Sequence, residues 1–189
     1  MNTRQCLASA AVLMFAGCVL EPAGTERTLA GAPTAPTRLG AGPSVVNGGG
    51  TGTFNADLDG DGAIDGSHFG FQVNMREGGS AHGHFMCQMA GNAEFLGLKV
   101  MLVEGRVSSA SFSGAGVQFG GTGSVNLASG TVFRDVPFAV SVTAGGPGIG
   151  TIQLTVLGAF DGVPGDTLIG DGNYSLPVEN VATGGIWIR

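Results

Sequence analysis

His68-Phe69-Gly70-Phe71-Gln72-Val73-Asn74-Met75 sets a large apolar side chain at every second position, with polar or small residues between. That period of two belongs to a half-buried β-strand, because successive side chains of a strand point to opposite faces. Glu77-Gly78-Gly79-Ser80 follows as a turn, and Phe85, Cys87 and Met89 then resume the alternation. The two segments read as a β-hairpin. If the turn sets the register, Gln72 faces His84 and Asn74 faces His82.

The same pattern extends outward in both directions. Further strands are expected at Phe95–Val103, Val107–Ser113, Gly123–Leu127, Val132–Val142, Thr151–Leu157, Asp166–Tyr174 and Gly184–Ile188. Pro137 lacks an amide hydrogen, so its strand should be an edge strand or a bulged one. Helical periodicity is nearly absent. The 36 glycines are interleaved with Val, Ile, Leu and Phe, which suits many strands joined by tight turns. The fold class expected over residues 45–189 is all-β: an antiparallel β-sandwich or a partly closed β-barrel of roughly eight to ten short strands. Spacing does not choose between the two.

Composition narrows the partners. Charged residues make up 12% of the chain and the net charge is −6. Eight scattered basic residues give no basic stripe for phosphates, which sets nucleic acid aside. Of Cys6, Cys18 and Cys87, only Cys87 falls in the domain, so no internal disulfide supports it. Its neighbours Phe85, Met86 and Met89 suggest a buried, inert thiol.

The first 44 residues have a different character. Arg4 gives residues 1–17 a positive start, and Leu7 to Ala16 form an apolar run. That run is well short of the roughly 20 residues that span a bilayer, as in an export signal. Phe15-Ala16-Gly17-Cys18 resembles the lipobox of bacterial lipoproteins, with Phe15 where the family usually has Leu. The resemblance implies lipidation at Cys18 and attachment to the membrane through that lipid. Val19 after the cysteine, rather than Asp, implies the outer membrane. The alternative is a conventional signal cut after Ala23 or Ala30. Residues 18–44 carry Pro22, Pro33, Pro36 and Pro43 among Gly, Ala and Thr, the composition of an extended tether.

Within residues 45–189, Gly66 to Phe71, Gly83-His84-Phe85 and Gly123 to Asn126 occur in a characteristic order. Phe138 to Thr143, Gly162 to Thr167 and Gly184-Gly185-Ile186 continue it. Together they resemble the small all-β module that follows other domains in "choice-of-anchor" bacterial surface proteins. Ala144-Gly145-Gly146 departs from it where that family often has Asp. The resemblance implies fold and location, with no activity attached.

The strongest local signal for chemistry is Asp57-Leu58-Asp59-Gly60-Asp61-Gly62-Ala63-Ile64-Asp65. Oxygen ligands at positions 1, 3 and 5, with glycine at 6, match a calcium loop. Asp57, Asp59 and Asp61 would supply carboxylates, Ala63 its carbonyl, and Asp65 a ligand at position 9. Ile64 would pack inward. His68 stands where an EF-hand has its bidentate Glu, so the expected site is a weak structural one. The competing reading is a solvated acidic turn.

His82 and His84 share a strand face and form the alternative metal site. His68 lies about 14 Å from them along the hairpin, too far to be a third ligand. The same face reads equally as a solvated stripe of His68, Gln72, Asn74, His82, His84 and Gln88. Asp135, Asp161, Asp166 and Asp171 offer carboxylates for glycoside hydrolysis, yet most adjoin glycines that turns explain. Trp187 is expected in a closing core strand rather than in a ligand platform.

These features point to a non-enzymatic, lipid-anchored module of the cell envelope or surface, with calcium as a structural cofactor. The alternatives are a small periplasmic metal-dependent hydrolase built on His82 and His84, and a glycan- or protein-binding module.

Overall fold

The computed structural model describes residues 45–58, 60–95, 98–113, 116–127, 130–163 and 165–189, with side chains described except at 90–99. The segments expected as an export signal and a tether, with Cys18, and also Asp59, lie outside these residues. The domain is all-β. Its strands are β1 (Val45–Thr53), β2 (Gly66–Met75), β3 (Ser80–Phe95), β4 (Leu98–Ser113), β5 (Gly116–Asn126), β6 (Val132–Thr143), β7 (Thr151–Val156), β8 (Tyr174–Ser175) and β9 (Glu179–Ile188). A three-residue 3₁₀ turn, Glu77–Gly79, joins β2 to β3, with Gly78 at φ 76°.

The strands form one antiparallel sheet that curls back on itself. Eight of them, β1-β2-β3-β4-β5-β6-β7-β9, close a ring, so the choice between sandwich and barrel resolves as an irregular barrel. The irregularity is at one joint. β7 meets β9 through only Thr151↔Asn180 and Ile152↔Glu179. Beyond that point β7 pairs with the short β8, through Thr155↔Ser175 and Val156↔Tyr174. β8 and β9 thus act as one strand, interrupted at Leu176-Pro177-Val178 with a register slip of one residue. The opposite side is well zipped: the first and last described residues, Val45 and Arg189, exchange both backbone hydrogen bonds (3.1 and 2.9 Å).

The hairpin register read from the sequence is the one observed, Gln72↔His84 and Asn74↔His82. The Pro137 strand is bulged: Arg134 and Asp135 both stand opposite Ser124, and Asp135 takes the left-handed φ of 57°. Three expectations need correction. The segments expected as Phe95–Val103 and Val107–Ser113 are one 16-residue strand, β4. A bulge at Ser108, between Val107↔Gly121 and Ser109↔Gly120, absorbs the break in alternation. β3 is also 16 residues long, so not all strands are short. Most of Asp166–Tyr174 is a loop, because its Asp and Asn side chains capture local amides.

Inward positions fill the barrel with Phe69, Phe71, Val73, Phe85, Cys87, Met89, Phe119, Phe138 and Leu154, all buried. Their rings interlock, Phe71 on Phe119 at 5.1 Å and Phe85 on Phe138 at 5.2 Å between centroids. Gly105 makes the second pair possible, since a Cβ there would lie 2.6 Å from Phe138 Cε1. Outward positions on β2, β3 and β4 carry His68, Gln72, His84, Gln88, Glu104 and Arg106, all exposed, with Met86 among them. Apolar-in and polar-out is the reverse of a membrane-spanning barrel.

Candidate functional site

The Asp57–Asp65 segment is an exposed loop between β1 and β2, closed at its base by Phe54 N–H donating to Asp65 O at 2.9 Å. The carboxylate of Asp57 organises it. Oδ1 accepts the Gly60 amide and Oδ2 the Gly62 amide, each at 2.8 Å. Asp61 Oδ1 accepts the Ala63 amide at 2.8 Å. These contacts hold the loop tight, with Gly60 and Gly62 in the left-handed region. Ile64 does not pack inward; it is 59% exposed, and Phe54 reaches the core instead. Asp59, at position 3, lies outside the described residues. Among the described residues no group of three or more His, Cys, Asp or Glu side chains is arranged to hold a metal.

His82 and His84 stand on the outer face of β3, and His68 pairs with Gln88 farther along the hairpin. All three histidines are exposed, within the polar stripe read from the sequence. His84 Nε2 lies 3.4 Å from Glu104 Oε1 on β4. That pair borders a groove of about 380 Å³ with Arg106, Arg134 and Asp135. A larger hollow of about 550 Å³ spans β4, β5 and β6, lined by Ser109, Gln118, Thr122 and Ser141 among small and apolar residues, with no acid or base.

Three of the four carboxylates considered for glycoside hydrolysis are turned onto the backbone, while Asp135 lines the groove beside His84 and Glu104. Asp161 Oδ1 accepts Gly170 N–H at 2.9 Å, and Asp171 Oδ1 accepts Asn173 N–H at 2.9 Å. Asp166 accepts three amides, from Gly162 at 2.9 Å, Leu168 at 3.0 Å and Ser175 at 3.2 Å. Slight burial works to raise its pKa, but the three donors outweigh burial and hold Asp166 below the ordinary carboxylate range.

The sequence reading missed one polar cluster entirely. Glu179 of β9 is 1% exposed. Its carboxylate accepts the backbone N–H of Ser67 at 2.8 Å, and its two oxygens accept the Ser67 hydroxyl at 2.9 and 2.8 Å. Burial raises the Glu179 pKa, and the Ser67 hydrogen bonds oppose that rise. Cys87 lies beside the cluster. Burial pushes its thiol up to about 12; the Ser67 hydroxyl acts against this and Glu179 adds to it. Tyr174 is likewise raised, by burial and then by the charge of Asp166. The only available signal was an acid at a position of β9 whose parity faces inward.

Trp187 corrects a further expectation. It lies on β9, the closing strand, but Ile186 faces the core and Trp187 faces outward, 49% exposed.

Comparison with known proteins returns no matching family model, no matching curated protein and no matching solved structure.

Proposed function

We propose that this chain is a non-enzymatic display module of the bacterial cell envelope, anchored in the outer membrane by lipid on Cys18. Residues 18–44 tether the domain, which faces the periplasm or the cell surface. The observation that supports a non-enzymatic role is the condition of the buried reactive groups. Cys87 is a thiol pushed up to about 12, whereas a nucleophile needs its thiolate. Glu179 is tied to Ser67 inside the barrel, out of reach of any substrate. Outside, Asp57, Asp61, Asp161, Asp166 and Asp171 are occupied with backbone amides. What remains for interaction is the outer surface, in keeping with the resemblance to the modules of surface proteins. In this reading Asp57, Asp59, Asp61, the Ala63 carbonyl and Asp65 hold a calcium ion that stiffens the β1–β2 loop.

Metabolic labelling with an alkyne fatty acid in a Gram-negative host tests the anchor. Label on the wild type, recovered with the outer membrane and lost in Cys18→Ala, is the expected result. An unlabelled chain whose mature start follows Ala23 or Ala30 would overturn it.

A further inference from the structure

Three strands side by side, β9, β1 and β2, present a regular grid on the outside of the barrel. Cross-strand pairing sets Trp187, Asn47 and Gln72 in one row, Gly185, Gly49 and Gly70 in the next, and Thr183, Thr51 and His68 in the third. The outer rows are four residues apart, about 13 Å, and the three strands span about 10 Å. The middle row contributes no side chains of its own, and the Trp187 indole lies over its Gly185 end. The grid is therefore a shallow trough with walls of side chains and a floor of backbone.

At Gly49 and Gly70, side-chain packing does not account for this floor. Gly49 and Gly70 sit in an unbroken stretch of ladder, Val45↔Asn74 to Thr51↔His68, with no bulge. Neither has a positive φ. A Cβ added at Gly49 would meet nothing nearer than Phe69 O at 3.6 Å, and one at Gly70 nothing nearer than Met86 Cε at 4.0 Å. Both are ordinary contacts, so a Cβ fits at each position. Glycine inside a strand weakens it; where neither a bulge nor a close backbone demands it, a tight bend of the barrel or the close approach of a ligand remains as the reason.

The walls indicate which ligand. Trp187 folds back along its own strand, with Cζ2 and Cη2 3.2 Å from where a Gly185 Cβ would be. The indole thus rests on the strand with half of its surface open to solvent. Such a ring offers a flat apolar face to the C–H groups of a sugar ring, with its N–H left to bond at the edge. Asn47 and Gln72 flank it with amides, and Asn47 Oδ1 is buried without a hydrogen-bond partner among the described residues. The opposite wall carries hydroxyls, Thr51 and Thr183 bonded to each other at 2.8 Å. The nine grid positions carry no carboxylate or guanidinium, although Arg189 shares a hollow with Trp187, and their polarity suits a hydroxyl-rich partner.

We propose that this face binds an uncharged glycan, one pyranose ring stacked on Trp187 and lying over Gly49 and Gly70. The proposal draws on the display reading for its setting only, because binding by purified protein does not depend on lipid at Cys18.

Trp187 is the single tryptophan of the chain, so its fluorescence reports on this site alone. The full-length protein would be titrated with cellohexaose, chitohexaose and maltohexaose. A saturable change in Trp187 emission with at least one of them is expected. Gly49→Thr and Gly70→Thr should weaken that binding at least about tenfold while the melting temperature stays the same or rises, since β-branched residues favour strands. Gln72→Ala, on the exposed wall, should weaken it about threefold and guards against a folding artefact in the glycine variants. No saturable change with any of the three sugars overturns the proposal. Binding that survives both threonine substitutions overturns it as well.

Discussion

The carboxylate of Glu179 reaches from β9 past β1 to Ser67 of β2, taking the Ser67 amide at 2.8 Å. The β1–β2 ladder stops at Thr51↔His68, and Glu179 supplies the acceptor where the ladder no longer does. It passes beside Gly52, where a Cβ would lie 2.4 Å from Oε2. A side chain thus does the work of a strand carbonyl, next to the short joint between β7 and β9.

Glu179→Ala should lower stability by about 2–4 kcal/mol, from unsatisfied Ser67 groups and the cavity left behind. Glu179→Gln keeps the shape and should cost about 1 kcal/mol at pH 5. A raised folded-state pKa means that the folded chain holds the Glu179 proton more tightly than the unfolded chain. The wild-type contribution is then full below the ordinary glutamate value and is lost as pH rises through the folded value. Denaturant melts from pH 4 to pH 8 should show the wild type losing ground to Glu179→Gln. Parallel profiles would refute this.

Asp166 should behave with the opposite sign. Its folded-state pKa is lowered, so its contribution is present at neutral pH and disappears as pH falls through the folded value. Asp166→Asn should cost about 1 kcal/mol at pH 7, a modest figure because the group is partly solvated. The cost of the same substitution should shrink as the pH is lowered through the acid range. A cost that persists in acid would point to shape rather than charge.

Two glycines of β1, three residues apart, should respond in opposite ways to alanine. At Gly52 the new methyl collides with the Glu179 carboxylate, and a loss of about 1–3 kcal/mol is expected. At Gly49 it meets only ordinary contacts, and stability should hold or rise by up to about 1 kcal/mol. Thermal melts of the pair decide it; equal losses would contradict the geometry.

Calcium at the β1–β2 loop can be read through mass action. If the site binds at about 1 mM, then 10 mM calcium should add about 1.4 kcal/mol. For a domain of this size that is a rise of about 3–5 °C in melting temperature. Asp57→Ala should abolish the rise, and so should Asp61→Ala. A melt indifferent to chelator would leave the loop as an acidic turn.

What the sequence made legible follows from the range of each interaction. The hairpin of Phe69, Phe71, Val73, Phe85 and Cys87 was readable because parity and a local turn determine it. That the Pro137 strand is irregular was readable because a missing amide is a property of one residue, although the bulge itself falls at Arg134 and Asp135 while Pro137 stays paired with Thr122. Glu179 was not, because its burial depends on Ser67 and Gly52, more than 100 positions away in sequence. Trp187 was misassigned because Ile186 and Trp187 are both apolar, and alternation alone cannot say which of two apolar neighbours faces in. The loop taken for a strand at Thr167-Leu168-Ile169 has an apolar run, but Asp161 and Asp166 had already claimed the amides a ladder would need. In the β1–β2 loop, residue spacing anticipated a tight turn, and the Asp57 bonds to Gly60 and Gly62 supply its mechanism.

The mutual hydrogen bonds of Val45 and Arg189 carry a consequence for how this fold can be rewired. Because β1 and β9 are neighbours in the ring, a short peptide could join residue 189 to residue 45 without disturbing a single pairing. New termini cut into the exposed Asp57–Asp65 loop would then give a circular permutant with the same barrel. The domain is a cycle of strands, and the place where its chain is opened is a matter of covalent bookkeeping rather than of architecture.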